Sequence, residues 1–136
     1  MDLHIENNVL LGFEKYTMWK EDEYIHIVVP DTVTAIADFA FDGCERIVGV
    51  TIPGSVKTIG KEAFFCCRNL RDIVMEEGVE TIGDSAFEMG FFGNSLTLPN
   101  SIRSIGERAF YDTGLGVLHL PEGVETIGRS AFCKCN

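Results

Sequence analysis

Basic residues are scarce in this chain, and long apolar runs are absent. The 136 residues include 11 lysines and arginines against 21 aspartates and glutamates, a formal net charge of −10. Binding to a nucleic-acid backbone or to an anionic membrane surface relies on basic patches, so we expect neither. No apolar run approaches the ~20 residues of a membrane-spanning helix, so we expect no membrane insertion.

The first residues also lack the features of a secretory signal. The segment from Met1 to Glu6 contains neither a basic region nor an apolar one. As written, the chain is expected in the cytoplasm. A location at the cell surface or outside the cell would require a leader ahead of these residues, so the sequence leaves the localisation unknown.

The chain shows no catalytic, cofactor or metal motif. No phosphate-binding loop, dinucleotide fingerprint, H-E-x-x-H or calcium loop occurs. None of the three histidines adjoins a serine or cysteine that could act as a nucleophile. The five cysteines are an odd number, which suits a disulfide framework poorly, and Cys133-x-Cys135 lacks the second pair of a zinc site. We therefore expect no enzyme activity, no cofactor and no metal.

What the sequence does contain is a repeat. Residues 55–64 read SVKTIGKEAF, and the same skeleton returns at 78–87, 101–110 and 123–132, with a weaker copy at 32–41. The phenylalanines that end these copies are 23, 23, 23 and 22 residues apart. Self-similarity at a period in the twenties indicates a solenoid, in which each repeat stacks on its neighbours.

A second pattern, L-x-x-L-x-L, lies between the copies and has alternate apolar residues, as in a strand with one buried face. It begins at Tyr24, Ile47, Leu70, Gly93 and Leu115. We predict five parallel strands, one per repeat, at 24–29, 47–52, 70–75, 93–98 and 115–120. At the fourth, Gly93 replaces the leucine, so we predict a local irregularity in which Phe91 or Phe92 fills the missing volume.

The other half of each repeat returns the chain across the opposite side. Val56-x-x-Ile59 predicts a short extended segment, and the residues from Lys61 to Phe64 predict one helical turn. Gly60 between them indicates either a positive φ or a close approach of two backbones. Since stacked repeats lie about 4.8 Å apart, we expect Phe64, Phe87 and Phe110 to be buried and in mutual contact.

The run from Ile52 to Leu70, IPGSVKTIGKEAFFCCRNL, resembles the BspA-type leucine-rich repeat, and the resemblance covers residues 24–136. It implies a leucine-rich repeat solenoid, a right-handed β/α superhelix. A short parallel sheet forms one face, with extended segments and single helical turns on the other. The family implies bacterial surface proteins, many of them adhesins or binding proteins.

The domain organisation follows from the repeats. Residues 24–136 form about five repeats of 22–23 residues, the last incomplete. Residues 1–23 are predicted to be an N-terminal cap that covers the end of the core. It would contain a hairpin with strands at Leu3 to Ile5 and Val9 to Phe13, and Trp19 would act as a lid.

We expect a non-catalytic interaction module that binds a protein or peptide on the exposed sheet face, with an adhesin-like role as one form. The alternative is a structural spacer, or part of a longer repeat array, with no partner of its own. We also expect the C-terminal end either to pack against a second copy as a homodimer or to be continued by further repeats. The candidate binding residues are His26, Val28, Thr51, Asp72, Val74, Ser95, Thr97, Val117 and His119.

Overall fold

The computed structural model describes residues 2–14, 20, 22–93 and 95–135. These residues form a β-solenoid of about 5 turns with parallel sheets and no helix. The strands are β1 Leu3–Glu6, β2 Val9–Phe13, β3 Ile25–Val28, β4 Ala35–Ile36, β5 Ile47–Ile52, β6 Thr58–Ile59, β7 Asp72–Met75, β8 Thr81–Ile82, β9 Ser95–Thr97, β10 Ser104–Ile105, β11 Val117–His119 and β12 Thr126–Ile127.

The extended segments of the return side form a sheet of seven strands, ordered β1-β2-β4-β6-β8-β10-β12. Each segment from β4 onward contributes two residues, and these pair in parallel with the same two positions of the next repeat. The isoleucines at the inner position, Ile36, Ile59, Ile82 and Ile105, are at most 1% exposed. The predicted extended segments are thus present, and they are linked into a continuous ladder.

On the other side, all five predicted strands are present and every pairing among them is parallel. In the described part of the chain they form a three-stranded sheet, β3-β5-β7, and a two-stranded sheet, β9-β11. All but β5 are shorter than predicted. The residue between the two sheets that replaces the repeat leucine, Gly93, has a φ of 62°, which is incompatible with a strand.

The first repeat corrects the predicted pattern at Tyr24. Its side chain is 62% exposed, whereas Ile47 and Leu70 at the equivalent positions are fully buried. A bulge between Ile25 and His26 shifts the register, so that Ile25 pairs with Ile47 and takes the buried position. A one-residue shift of this kind moves a side chain from the core to the surface.

The predicted helical turn after the glycine is a non-helical turn. Glu62, in its middle, has a φ of 52°, and the equivalent residues of the other repeats also have positive φ: Phe39, Ser85, Arg108 and Ser130. A left-handed residue interrupts a right-handed helical turn. Alternate backbone N–H groups instead donate to the next repeat, as in Glu62 N to Asp84 O at 2.9 Å and Phe64 N to Ala86 O at 2.8 Å, and those between them bond within the turn.

Close approach, not positive φ, explains the repeat glycine. Gly60, Gly83, Gly106 and Gly128 are absent from the residues with positive φ. A Cβ added at Gly83 would lie 2.7 Å from the carbonyl carbon of Gly60. Ala37 is tolerated in the first repeat because its neighbour is β2, whose Leu10 carbonyl accepts its N–H, and not another glycine turn.

The phenylalanine stack is confirmed. The rings of Phe64, Phe87 and Phe110 are fully buried, with centroids 5.2 Å and 5.4 Å apart and nearly parallel planes. Phe41 and Phe132 extend the stack at its two ends. Phe92 fills the volume left by the missing leucine and meets Phe87 edge-on at 5.9 Å, while Phe91 is 57% exposed.

The N-terminal hairpin is confirmed as well. Strands β1 and β2 pair antiparallel around Asn7 and Asn8, both with positive φ, and β2 adds in parallel to β4. Leu10 is fully buried, and the ring of Phe13 meets Phe41 edge-on with centroids 4.9 Å apart. Trp19, the predicted lid, lies outside the described residues.

Candidate functional site: the outward sheet face

The nine candidate residues all point outward from the strand side of the solenoid. Eight are exposed and Thr51 is half-buried. The residues on β3, β5 and β7, which we call the first patch, are His26, Val28, Thr51, Asp72 and Val74. Those on β9 and β11, the second patch, are Ser95, Thr97, Val117 and His119.

The strand registers place these residues in columns. Val28, Thr51 and Val74 are direct partners across the three strands of the first patch. In the second patch, Ser95 pairs with Val117. Direct cross-strand partners lie about 5 Å apart, so each column forms a contiguous surface. Because the described residues place the patches in separate sheets, we treat the site as two surfaces where the sequence predicted one.

Aliphatic side chains dominate the exposed part of the first patch. Val28 is 67% exposed and Val74 is 53% exposed. His26 does not project freely: a Cβ added at Gly49 would lie 2.2 Å from the His26 Nδ1, so the imidazole lies across that glycine and covers it. The face therefore presents two valines around a threonine, with the imidazole on one side and Asp72 beyond.

A groove beside the first patch was missed by the sequence analysis. It consists of two adjoining hollows that share Tyr24 and Asn69. The side chains that line the first also include Asp22, Glu23, Glu45 and Arg46, and those that line the second include Arg71 and Asp72. Arg46 Nη1 donates to the backbone oxygens of Lys20 at 2.9 Å and Glu23 at 3.2 Å, and Asn69 Nδ2 donates to Glu45 O at 2.8 Å. The groove depends on the bulge that turns Tyr24 outward, and no sequence pattern identified that bulge.

Several acidic residues have structural roles at the turns. Asp38 Oδ1 accepts the backbone N–H of Lys61 at 2.8 Å, and Asp84 Oδ1 accepts that of Glu107 at the same distance. These carboxylates satisfy the backbone of the next repeat at the turn. Part of the negative charge of the chain therefore comes from carboxylates that hold neighbouring turns together. The first patch itself holds a single carboxylate, Asp72.

Among the described residues, the less exposed ion pair joins Glu88 and Arg108 on the turn side. Glu88 is 4% exposed, and its Oε1 lies 2.6 Å from Arg108 Nη2. The guanidinium also lies over the ring of Tyr111, 3.9 Å from its centroid. Burial raises the pKa of Glu88, but hydrogen bonds from Arg108 and Ser85 and the charge of Arg108 outweigh it, so the net pKa is lowered. This pair links the turns of two neighbouring repeats. Neither residue lies on a strand that carries the first or the second patch.

Removing the charge of Arg108 should reverse the pH dependence contributed by Glu88. A lowered pKa in the folded chain gives stability that is present above the ordinary carboxyl pKa and is lost as pH falls through the folded value. In Arg108→Gln, burial should dominate and raise the pKa of Glu88, so stability should fall as pH rises. The deficit in melting temperature should therefore grow from about pH 3 to about pH 7.

Arg71→Gln is the matched control, because Arg71 is exposed and forms no ion pair with any described residue. Melting curves of the parent and the two variants across that pH range measure the effect. A deficit for Arg108→Gln that stays constant with pH would show that the pair does not influence the ionisation of Glu88.

The cysteines occupy packing positions. Cys67 is fully buried and its Sγ donates to Phe41 O at 3.2 Å, while Cys135 Sγ donates to Phe110 O at 3.0 Å. Both acceptors belong to the preceding repeat, whereas Thr113, at the equivalent position one repeat before Cys135, donates to Phe110 O of its own repeat at 2.9 Å. No group of three or more His, Cys, Asp or Glu side chains among residues 2–14, 20, 22–93 and 95–135 could hold a metal ion.

Burial should separate the cysteines in a labelling experiment. Burial raises the pKa of the Cys67 thiol to about 12, and it also raises the pKa of Cys44 and Cys66. Since the thiolate is the nucleophile, iodoacetamide should label exposed Cys133 first and Cys67 last at mildly alkaline pH. Peptide mass spectrometry over time measures the order, and denaturant should abolish it. Rapid labelling of Cys67 in the folded chain would contradict its burial.

No helix in the described ranges is long and apolar enough to cross a membrane.

The comparisons with known proteins concern the repeat. The family model "BspA type Leucine rich repeat region (6 copies)" matches residues 13–136. The sequence alone predicted about five repeats, beginning at residue 24. No curated protein matches the chain.

Solved structures share the fold. A leucine-rich repeat protein of T. pallidum is 29% identical with a TM-score of 0.80, over 93% of this chain and 59% of its own. One from Eubacterium ventriosum is 26% identical with a TM-score of 0.70, over 75% of this chain and 27% of its own. The pneumococcal vaccine antigen PcpA, 22% identical with a TM-score of 0.57 over 72% of this chain and 31% of its own, shows the fold alone. This chain thus spans about three fifths or less of these proteins.

Proposed function

Because the chain belongs to the BspA-type leucine-rich repeat family, whose repeats are commonly interaction or surface-protein modules, we propose that it is a non-catalytic module that binds a protein or peptide through its outward sheet face. Solenoids present extended surfaces built from the same position of successive repeats. The columns of the first and second patches are such surfaces. The finer form of the proposal is an adhesin-like role, in which the partner lies on another cell.

One observation carries the proposal: the first patch is aliphatic and nearly uncharged on a chain with a net charge of −10. Val28 and Val74 are each more than half exposed and belong to one column with Thr51. The cores of protein interfaces are depleted in charge, and apolar side chains grouped on a surface often mark such a site. A partner that covers this column would remove two exposed valines from water.

The groove beside the first patch adds side chains that can form hydrogen bonds and aromatic contacts with a partner. Tyr24 and Arg71 are exposed on its walls, and tyrosine and arginine are the residue types enriched at binding hot spots. A peptide lying over the valine column and entering this groove would find an aromatic ring, a guanidinium and the Asp72 carboxylate. We therefore assign the groove and the first patch to one binding surface.

The test is selection of peptides from a displayed random library against the immobilised chain, followed by affinity measurement with face variants. Val74→Lys should weaken binding of the selected peptides at least about tenfold, because the ammonium group would be desolvated at the interface. Phe39→Lys is the matched control, since Phe39 is 52% exposed on the turn side, close to the 53% of Val74. If both variants bind the selected peptides with the affinity of the parent chain, the first patch is not the binding surface.

The alternative is a structural spacer or one segment of a longer repeat array. It is favoured by the share of the longer solved structures that this chain spans, 59% and 27%. A spacer predicts that no library peptide is selected above background. The same experiment therefore separates the two functions.

A further inference from the structure

The first hollow of the groove lies where three neighbouring strands begin. Tyr24 and Arg46 directly precede β3 and β5, and Asn69 lies shortly before β7. The hollow has a volume of about 450 Å³, within the range of pockets that bind small ligands and single side chains. Since three repeats supply its walls, the stacking of the solenoid fixes its shape.

The charges that line the first hollow are mainly negative. Three carboxylates stand against one guanidinium, that of Arg46, and the carboxylates are those of Asp22, Glu23 and Glu45. The second hollow has one charge of each sign, on Arg71 and Asp72. Electrostatic complementarity therefore favours a cation in the first hollow. The net charge of the chain, −10, attracts a cationic partner in the same sense.

Hydrogen bonding gives the same preference. Arg46 Nη1 donates to the backbone oxygens of Lys20 and Glu23, and Asn69 Nδ2 donates to Glu45 O. Two nitrogen donors of the hollow are therefore already bonded within the chain. The carboxylates of Asp22 and Glu45, in contrast, form no hydrogen bond and no ion pair with any described residue. The hollow thus offers acceptors, and a ligand that fits it must donate.

Tyr24 provides an apolar wall beside these acceptors. Its side chain is 62% exposed, and the face of an aromatic ring attracts a cation. Lysine and arginine also pack their long aliphatic stems along apolar surface while the charged head stays in a polar environment. Because Tyr24 lines both hollows and Asp72 belongs to the second hollow and to the first patch, the three surfaces are continuous.

We propose that the partner is a basic peptide segment: its lysine or arginine enters the first hollow, and an apolar residue close by in its sequence covers Val28 and Val74. This specificity rests on the proposed function of the outward sheet face and states the chemistry of the partner. The cation gains the open carboxylates of Asp22 and Glu45 as acceptors and lies against the ring of Tyr24. A partner without a cation would leave those acceptors unpaired, so charge selects the partner.

Two displayed random libraries test the proposal, one complete and one from which lysine and arginine are omitted. Peptides selected from the complete library should carry a lysine or arginine at a fixed distance from an apolar residue. The best peptides from the reduced library should bind at least about tenfold more weakly. Equal affinities from the two libraries would overturn the basic partner and leave the sheet face as a binding site. A failure to select any peptide from either library would overturn the proposed function as well.

Glu45→Gln locates the cation in the first hollow. The Glu45 side chain is exposed and forms no bond with a described residue, so the change should not disturb the fold. It should weaken a selected basic peptide at least about fivefold, because it removes one of the open carboxylates. The same peptide with its lysine or arginine replaced by glutamine should lose less than about twofold. Calorimetric titration of both peptides with the parent and the variant measures this coupling.

Glu80→Gln is the matched control for the charge of the chain. It removes the same charge from an exposed carboxylate on the return side, directly before β8. Because exposed charges far apart are screened by salt, it should change the affinity of the basic peptide by less than about twofold. Equal losses in Glu45→Gln and Glu80→Gln would show that the peptide responds only to net charge, and the first hollow would then not be its site.

Discussion

Replacing Phe87 by alanine should lower the free energy of unfolding by about 3–5 kcal/mol, the range for large-to-small changes in well-packed cores. The ring is fully buried and stacks between Phe64 and Phe110, and Phe92 meets it edge-on. Its removal leaves three aromatic rings without their contact at the middle of the stack. Neighbouring turns are held by backbone hydrogen bonds on both sides, such as Phe87 N to Ala109 O, so they cannot close the cavity.

Phe91→Ala is the control for this prediction. Phe91 lies four residues further along the chain, but its side chain is 57% exposed, so its truncation should change stability by less than about 0.5 kcal/mol. Equilibrium unfolding in urea measures both variants. If Phe87→Ala and Phe91→Ala unfold at the same denaturant concentration, the stack does not stabilise the solenoid.

Gly106→Ala should destabilise the chain by about 3 kcal/mol, at the upper end of the usual overpacking cost, although the same change elsewhere often stabilises. Gly106 is not among the glycines with positive φ, so its backbone conformation accepts alanine. The obstacle is space: the added Cβ would lie 2.5 Å from Asp84 N and 2.6 Å from the carbonyl carbon of Gly83. Both are backbone atoms, so the turn of one repeat would have to move away from the next.

Gly123→Ala separates this steric effect from the general effect of the substitution. Its Cβ would also make a short contact, 2.4 Å, but with the guanidinium of Arg103, the far end of a flexible side chain. That side chain can move, so we expect a cost below about 1 kcal/mol. Thermal unfolding of the two variants is a sufficient measurement. Equal melting temperatures would mean that the turns are not in close backbone contact.

The repeat made much of this fold predictable. Each copy places an isoleucine, an alanine and a phenylalanine at fixed spacing, and stacking at a constant period brings each type into its own column. The burial of Phe64 and the parallel pairing of Ile59 with Ile82 follow directly from that period. The candidate binding residues were also assigned to the outward side from the alternation along the strands, and the structure places them there.

The structure departed from the prediction where local geometry interrupts the period. The bulge that exposes Tyr24 results from one extra residue beside Ile47, and the apolar pattern of that segment fits either register. The positive φ of Glu62 could not be read from its residue type, since glutamate seldom adopts it. It is held by hydrogen bonds to the next repeat, which exist only once the repeats are stacked.

The repeat period and its apolar columns follow from the order of the amino acids, because each buried position recurs at the distance of one solenoid turn. The fold alone decided which role the repeat glycine plays and where the groove beside the first patch lies. Each of these depends on the distance between groups far apart in the chain, such as Gly106 and Asp84 or Tyr24 and Arg71. Such distances are set when the turns pack together, and no local residue pattern encodes them.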